Sequence, residues 1–203
     1  MKLYFSPGAC SLSPHIVFRE AGLAVELVKV NTKEGKTATG ADYRAINAKG
    51  AVPALQLDDG QVLTEGAAIV QYLADLAPSA KLAPANGTLE RYQLQEWLNY
   101  VGTELHKGFS PLYNRKLDDQ AKAIFRAALE EKFTWVASLL STRPYLAGQT
   151  FSVADAYLFV MLTWMQWVKI ERSNWPVLES WFQKVSARPA VQAALAAEAA
   201  ARL

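Results

Sequence analysis

A single cysteine, Cys10, stands in 203 residues, so no internal disulfide can form. That excludes a disulfide-stapled secreted scaffold and makes a reducing compartment the simplest setting. An excess of charge is also lacking: 21 basic and 19 acidic residues give a formal +2, spread without the polybasic stripe that tracks phosphates. No nucleic-acid partner is expected. Long apolar runs are missing too, since "AYLFVMLTWM" is too short to cross a bilayer. "MKLYF" enters a strand without the layout of a signal peptide. These absences together lead to the expectation of a cytoplasmic protein with no membrane partner.

What is there suffices for one large domain or two small ones, burying about 70% of the unfolded surface. "KLYF" and "AVELVKV" read as strands around "SPHIVFREAGL", a helix stopped by Gly22, which makes a βαβ unit. "VPALQLD" and "QVLT" follow, joined by Asp59-Gly60 as an antiparallel hairpin. "EGAAIVQYLADLA" then places Ala68, Ile69, Tyr72, Leu73 and Leu76 at helical spacing. The expected first domain is residues 1–77, a thioredoxin-like α/β unit (βαβ-α-ββα) on a mixed four-stranded sheet. Proline and small residues in "PSAKLAPANG" mark 78–87 as a linker, and every later periodic stretch is helical. Residues 88–203 are therefore expected to be an all-α bundle ending in an alanine-rich helix.

Cys10 lies between the first strand and a helix that cannot begin much after Ser13-Pro14, where serine suits a cap and proline the first helical position. At such a place the unpaired amides and the helix dipole favour a thiolate. Cys10-Ser11-Leu12-Ser13 has the form of a C-x-x-C redox motif whose second sulfur is replaced by a hydroxyl. With no resolving cysteine, any disulfide must be made with an outside thiol. From position alone, a buried apolar role for Cys10 is equally open.

Pro53, in "AVPAL", stands at a strand start, where a thioredoxin-like unit carries a cis-proline beside the thiol-bearing helix. Val52 would then offer its N–H and C=O to an extended peptide ligand. "LTEGAAI" puts Glu65 and Gly66 at the first turn of a helix, where amides suit a carboxylate and Glu65 suits an ammonium. A thiol, a peptide unit and an amino-acid end in one molecule would use all three places, and glutathione has that arrangement.

The segments "KLYFSPGACSLSPH", "NAKGAVPALQLDDG", "LTEGAAIVQYLAD", "LNYVGTELHKGFSPL" and "SVADAYLF" together resemble a bacterial beta-class glutathione S-transferase over nearly the whole chain. The resemblance implies the transferase fold, a homodimer, glutathione as co-substrate with no permanently bound cofactor or metal, and hydrophobic electrophiles as second substrates. It also implies that Cys10 meets the glutathione sulfur, with Tyr4 reduced to a neighbour and Ser11 kept as the rival. A lysine found in relatives after the second strand is absent, because position 35 is glycine, flanked by Lys33 and Lys36.

In "WLNYVGTELHKGFSPL", Asn99, Thr103, His106 and Ser110 recur at steps of four, three and four, one face of a regular helix. The resemblance implies that His106, with Asn99, Thr103, Glu104 and Lys107, serves glutathione, and it puts Cys10, His106 and Ser11 in the chemistry. Phe109, Tyr113, Tyr157, Trp164 and Trp167 are candidates for an apolar wall against the electrophile, with Phe109, Tyr113 and Trp164 retained. Ser152 and Asp155 read as a capping-box variant with a structural role. Two rival functions stay in view: a monothiol glutathione-dependent disulfide oxidoreductase or dehalogenase, and a non-catalytic binding module on the same fold.

Overall fold

The computed structural model describes residues 1–202. The chain forms two compact units: Met1–Ala83 joined by the C-terminal segment from Ala187, and Pro84–Ser186.

In the first unit, β1 (Lys2–Phe5), α1 (Leu12–Glu20), β2 (Glu26–Asn31), β3 (Lys36–Thr37), β4 (Ala54–Gln56), β5 (Val62–Thr64) and α2 (Gly66–Leu76) follow one another. The sheet order is β3-β2-β1-β4-β5. β1 runs parallel to β2 and antiparallel to β4, with Leu3 opposite both Leu27 and Leu55. The β4–β5 hairpin turns at Gly60, whose φ of 88° suits glycine and matches the expected Asp59-Gly60 turn. Alternation along β1 separates two faces: Leu3 and Phe5 are buried, while Tyr4 belongs to a cluster with Val30, Tyr43 and Ala54.

Two expectations are corrected here. The sheet has five strands, not four, because β3 pairs antiparallel to β2 through Val30–Thr37 and Asn31–Lys36. Two polar-flanked residues carry no alternation to read, and the pairing is set by the turn at Gly35, φ 67°. The helix expected between β2 and the hairpin shrinks to one 3₁₀ turn, Tyr43–Ala45, capped by Asp42 accepting from the Arg44 amide at 2.9 Å. Helix α1 starts at Leu12 with Ser11 at its cap, within the expected limit of Ser13-Pro14.

The alanine-rich terminal helix, α8 (Pro189–Ala200), also departs from its expected place, since it groups with the first unit and packs on α1. Small side chains allow close approach, and polar contacts fix the register. Arg188 forks onto Glu20 at 2.6 and 2.8 Å. Glu198, nearly fully buried, accepts from the Gly8 amide at 2.7 Å and lies 3.4 Å from His15 Nδ1.

The second unit is helical. α3 (Leu89–Tyr100) is capped by Thr88, which accepts from the Arg91 amide at 3.2 Å. The expected regular helix does not continue, because Val101–His106 winds as a π-helix and Lys107–Phe109 as 3₁₀ before α4 (Ser110–Tyr113). α5 (Asp119–Leu140) follows, then α6 (Val153–Trp164), buried almost all round, and α7 (Pro176–Ser186). At the start of α6, Asp155 accepts from the Leu146 amide at 2.8 Å, and from the Ser152 amide and hydroxyl at 2.9 and 2.7 Å. This is the expected capping box, on a fully buried carboxyl that burial pushes up to about 6.

Candidate active site

Cys10 sits one residue before the cap of α1, half-buried, with Sγ donating to the Val52 carbonyl at 3.3 Å. The Val52–Pro53 peptide is cis, as the thioredoxin-like pattern leads one to expect. The chain before it is fixed by the Ala51 carbonyl, which accepts from Tyr43 Oη and Asn47 Nδ2, both at 2.8 Å. Two buried polar side chains thus hold the backbone that faces the thiol.

Ser11 does not share that place. Its hydroxyl is fully buried and closes the loop on Ser6, accepting from the Ser6 amide at 3.1 Å and donating to the Ser6 carbonyl at 3.3 Å. In this arrangement the Ser11 hydroxyl gives the loop one bond as acceptor and one as donor. Tyr4 is likewise committed, packing on Tyr43 and donating to Gln56 at 3.0 Å.

At the mouth of α2, a Cβ built on Gly66 would lie 3.7 Å from Pro53 Cγ, so this helix start adjoins the Val52–Pro53 segment. Glu65 precedes it with φ 69° and ψ 114°, a conformation that L-residues rarely adopt. Its carboxylate forms an ion pair with Lys49, whose ammonium also donates to Thr64 Oγ1 at 3.0 Å. Sequence reasoning missed Lys49, which is an ordinary surface charge in "NAKG" until the fold brings it to Glu65. It missed Arg44 as well, whose Nε comes within 4.0 Å of a Cβ built on Gly35 and whose guanidinium covers Gly50.

In the second unit, His106 ends the π-wound stretch with Nδ1 2.6 Å from the Tyr157 hydroxyl. Its ring packs edge-on against Tyr157 and Trp164, with centroids 5.8 and 5.0 Å away. Burial, assisted by the Lys107 charge, pushes the imidazole down to about 4, so it is neutral near pH 7. Phe109 meets Trp164, Phe133 and Tyr113, and Tyr113 also meets Trp164. The expected wall residues Phe109, Tyr113 and Trp164 thus form one cluster, which meets His106 through Trp164 and of which Tyr113 remains 45% exposed. Trp167 is half exposed at the end of its helix.

Asn99, Thr103 and Lys107 are exposed, with His106 at the border of their face. Thr103 donates to the Asn99 carbonyl at 3.1 Å, and Glu104 is held by Lys132 at 2.7 Å. That contact keeps the Glu104 carboxyl below the usual range. Among the described residues, no cluster of His, Cys, Asp or Glu is arranged to hold a metal, and no helix is long and apolar enough to cross a membrane.

Comparison with known proteins bears on these two sets of residues. The family model described as glutathione S-transferase, N-terminal domain, matches residues 8–76, and that for the C-terminal domain matches 100–189. The chain is 46% identical to glutathione S-transferase GstA of Escherichia coli O157:H7 over 98% of both chains. The chain belongs to the glutathione S-transferase family. Solved structures place this glutathione S-transferase more finely. A ternary complex of BphK, a bacterial member, has 56% identity and a TM-score of 0.96, covering 98% of this chain and 100% of that one. A beta-class transferase of Sphingomonas chungbukensis has 47% and 0.94, covering 98% of each chain. A sphingomonad transferase complexed with glutathione has 46% and 0.95, covering 98% of this chain and 99% of that one. The chain is a beta-class member, as its segments suggest.

Proposed function

We propose that this glutathione transferase joins the glutathione sulfur to hydrophobic electrophiles, and that Cys10 also forms a mixed disulfide with glutathione. The observation that carries the reading is the Cys10 thiol before the cap of α1, 3.3 Å from the Val52 carbonyl and next to the Val52–Pro53 segment that leads into β4. Val52 and Pro53 receive the peptide part of glutathione; Glu65 and the Gly66 amide receive its γ-glutamyl end. His106, Asn99, Thr103, Glu104 and Lys107 supply further polar contacts, and Phe109, Tyr113 and Trp164 hold the electrophile. Relatives complexed with glutathione support the ligand.

In conjugation, the glutathione thiolate attacks an electrophilic carbon, a carbon–sulfur bond forms, and the leaving group departs with its electron pair. In exchange, the Cys10 thiolate attacks one sulfur of glutathione disulfide, and the other glutathione leaves as thiolate. Only Cys10 can form that bond. Cys10→Ala is therefore expected to abolish exchange while conjugation of an activated aromatic halide falls by less than the 10²–10³ typical of losing one preorganised donor. Equal collapse of both activities would overturn the division of roles, and surviving exchange would overturn the disulfide. In a glutathione-soaked crystal the disulfide reads as a sulfur–sulfur distance of about 2 Å. The enzyme is proposed to be a cytoplasmic homodimer, with light scattering giving twice the chain mass of 22.4 kDa.

A further inference from the structure

The His106–Tyr157 contact is built by the irregular part of the second unit. The π-helical winding of Val101–His106 interrupts α3, and Gly102 in it faces α6, where a Cβ would lie 3.7 Å from the Tyr157 hydroxyl oxygen. Tyr157 is itself buried, and its ring meets His106 edge-on. The hydroxyl therefore reaches Nδ1 at 2.6 Å from a fixed direction.

We propose that Tyr157 is a positioning residue that donates its hydroxyl proton to His106 Nδ1, locking the imidazole as the Nε2–H tautomer and making it a hydrogen-bond donor to glutathione. The inference rests on the role given to His106 under Proposed function. A neutral imidazole has one donor and one acceptor nitrogen, and the partner of one decides the state of the other. The short distance favours that direction: O–H donors make bonds to oxygen of about 2.7–2.8 Å, shorter than the roughly 2.9–3.0 Å of N–H donors. A contact of 2.6 Å suits O–H donating to nitrogen. The opposite arrangement would present an Nε2 lone pair, which repels a thiolate, whereas Nε2–H stabilises one. Tyr157 thus sets the sign of the interaction without touching the sulfur. A ring kept neutral by burial is consistent with this, since a protonated imidazole would have no acceptor nitrogen.

The test is ¹⁵N NMR of the full-length enzyme labelled at histidine, with His106→Asn used to assign the signals. The expected result is an unprotonated Nδ1 and a protonated Nε2 for His106 at pH 7. Tyr157→Phe should mix the tautomers and lower kcat for conjugation about fivefold, the scale of one hydrogen bond, with the KM for glutathione moved less. If Tyr157→Phe does not fold, 3-fluorotyrosine at position 157 keeps the shape and strengthens the phenol as a donor, and should shift the Nδ1 resonance. A wild-type His106 protonated at Nδ1 overturns the proposal. So does an Nδ1 resonance unmoved by both variants, or a tautomer change with no change in kcat. Failure of the wild-type enzyme to turn over any electrophile with glutathione would instead overturn the broader functional reading, and the NMR result would be unaffected by it.

Discussion

In the first unit the groups proposed to meet a ligand are mostly backbone, held by irregular local geometry: the Val52 carbonyl, the start of α2 and the positive φ of Glu65. In the second unit they are side chains, His106, Phe109, Tyr113 and Trp164, packed on one another around a stretch of altered helical winding. Backbone groups cannot be exchanged by substitution, so the first arrangement suits one invariant polar co-substrate. A side-chain wall changes with every mutation, which suits electrophiles of varied shape.

The contrast can be broken most severely at Asp155. Its buried carboxyl takes three hydrogen bonds in the second unit, so Asp155→Ala is expected to cost about 3 kcal/mol, read as a lower urea midpoint. Alteration of Cys10, by comparison, should leave the midpoint nearly unchanged. The next effect is on pH. The folded-state value of His106 lies below its unfolded one, so the unfolded chain takes up the proton first as pH falls. Stability should thus decline from about pH 6.5 toward pH 4, and His106→Asn should remove that part of the slope in thermal melts. An unchanged slope would show that His106 titrates normally.

Smaller effects sharpen the first unit. Glu65→Gly relieves the backbone and should raise stability by about 1 kcal/mol, while removing the carboxylate raises the KM for glutathione. Stability and binding moving in the same direction would refute the assignment of strain to ligand recognition. The smallest change is expected of Lys49→Ala. Its ion pair with Glu65 is exposed on both sides, worth under about 1 kcal/mol, so only a two- to threefold, salt-sensitive shift in KM is expected.

Much of this was legible before any coordinates. The βαβ-ββα order, the Asp59-Gly60 hairpin, the Val52–Pro53 peptide and the capping box each leave a local signature, and all appear. What escaped depends on contacts between distant residues. Two-residue β3 exists only because β2 is beside it. Lys49 and Arg44 become notable only when the fold brings Glu65, Gly35 and Gly50 to them. The bonds that tie the Ser11 hydroxyl to Ser6 likewise leave no signal in the sequence. The π-helical winding has no periodic signal of its own, and the polar spacing of Asn99, Thr103 and His106 mimics a regular helix.

The place of α8 has a consequence for how the protein comes into being. The Gly8 amide, two residues from the thiol, is held by a carboxylate 190 positions later in the chain. On the ribosome, the strands of the first unit, α1 and α2 emerge early, and domains ordinarily fold in the order of synthesis. Here the first unit is finished only after the second has been made. A nascent chain stalled before Pro189 carries the whole sheet and Cys10 but lacks Glu198, so the Gly8 loop takes its final form only once Glu198 has been made.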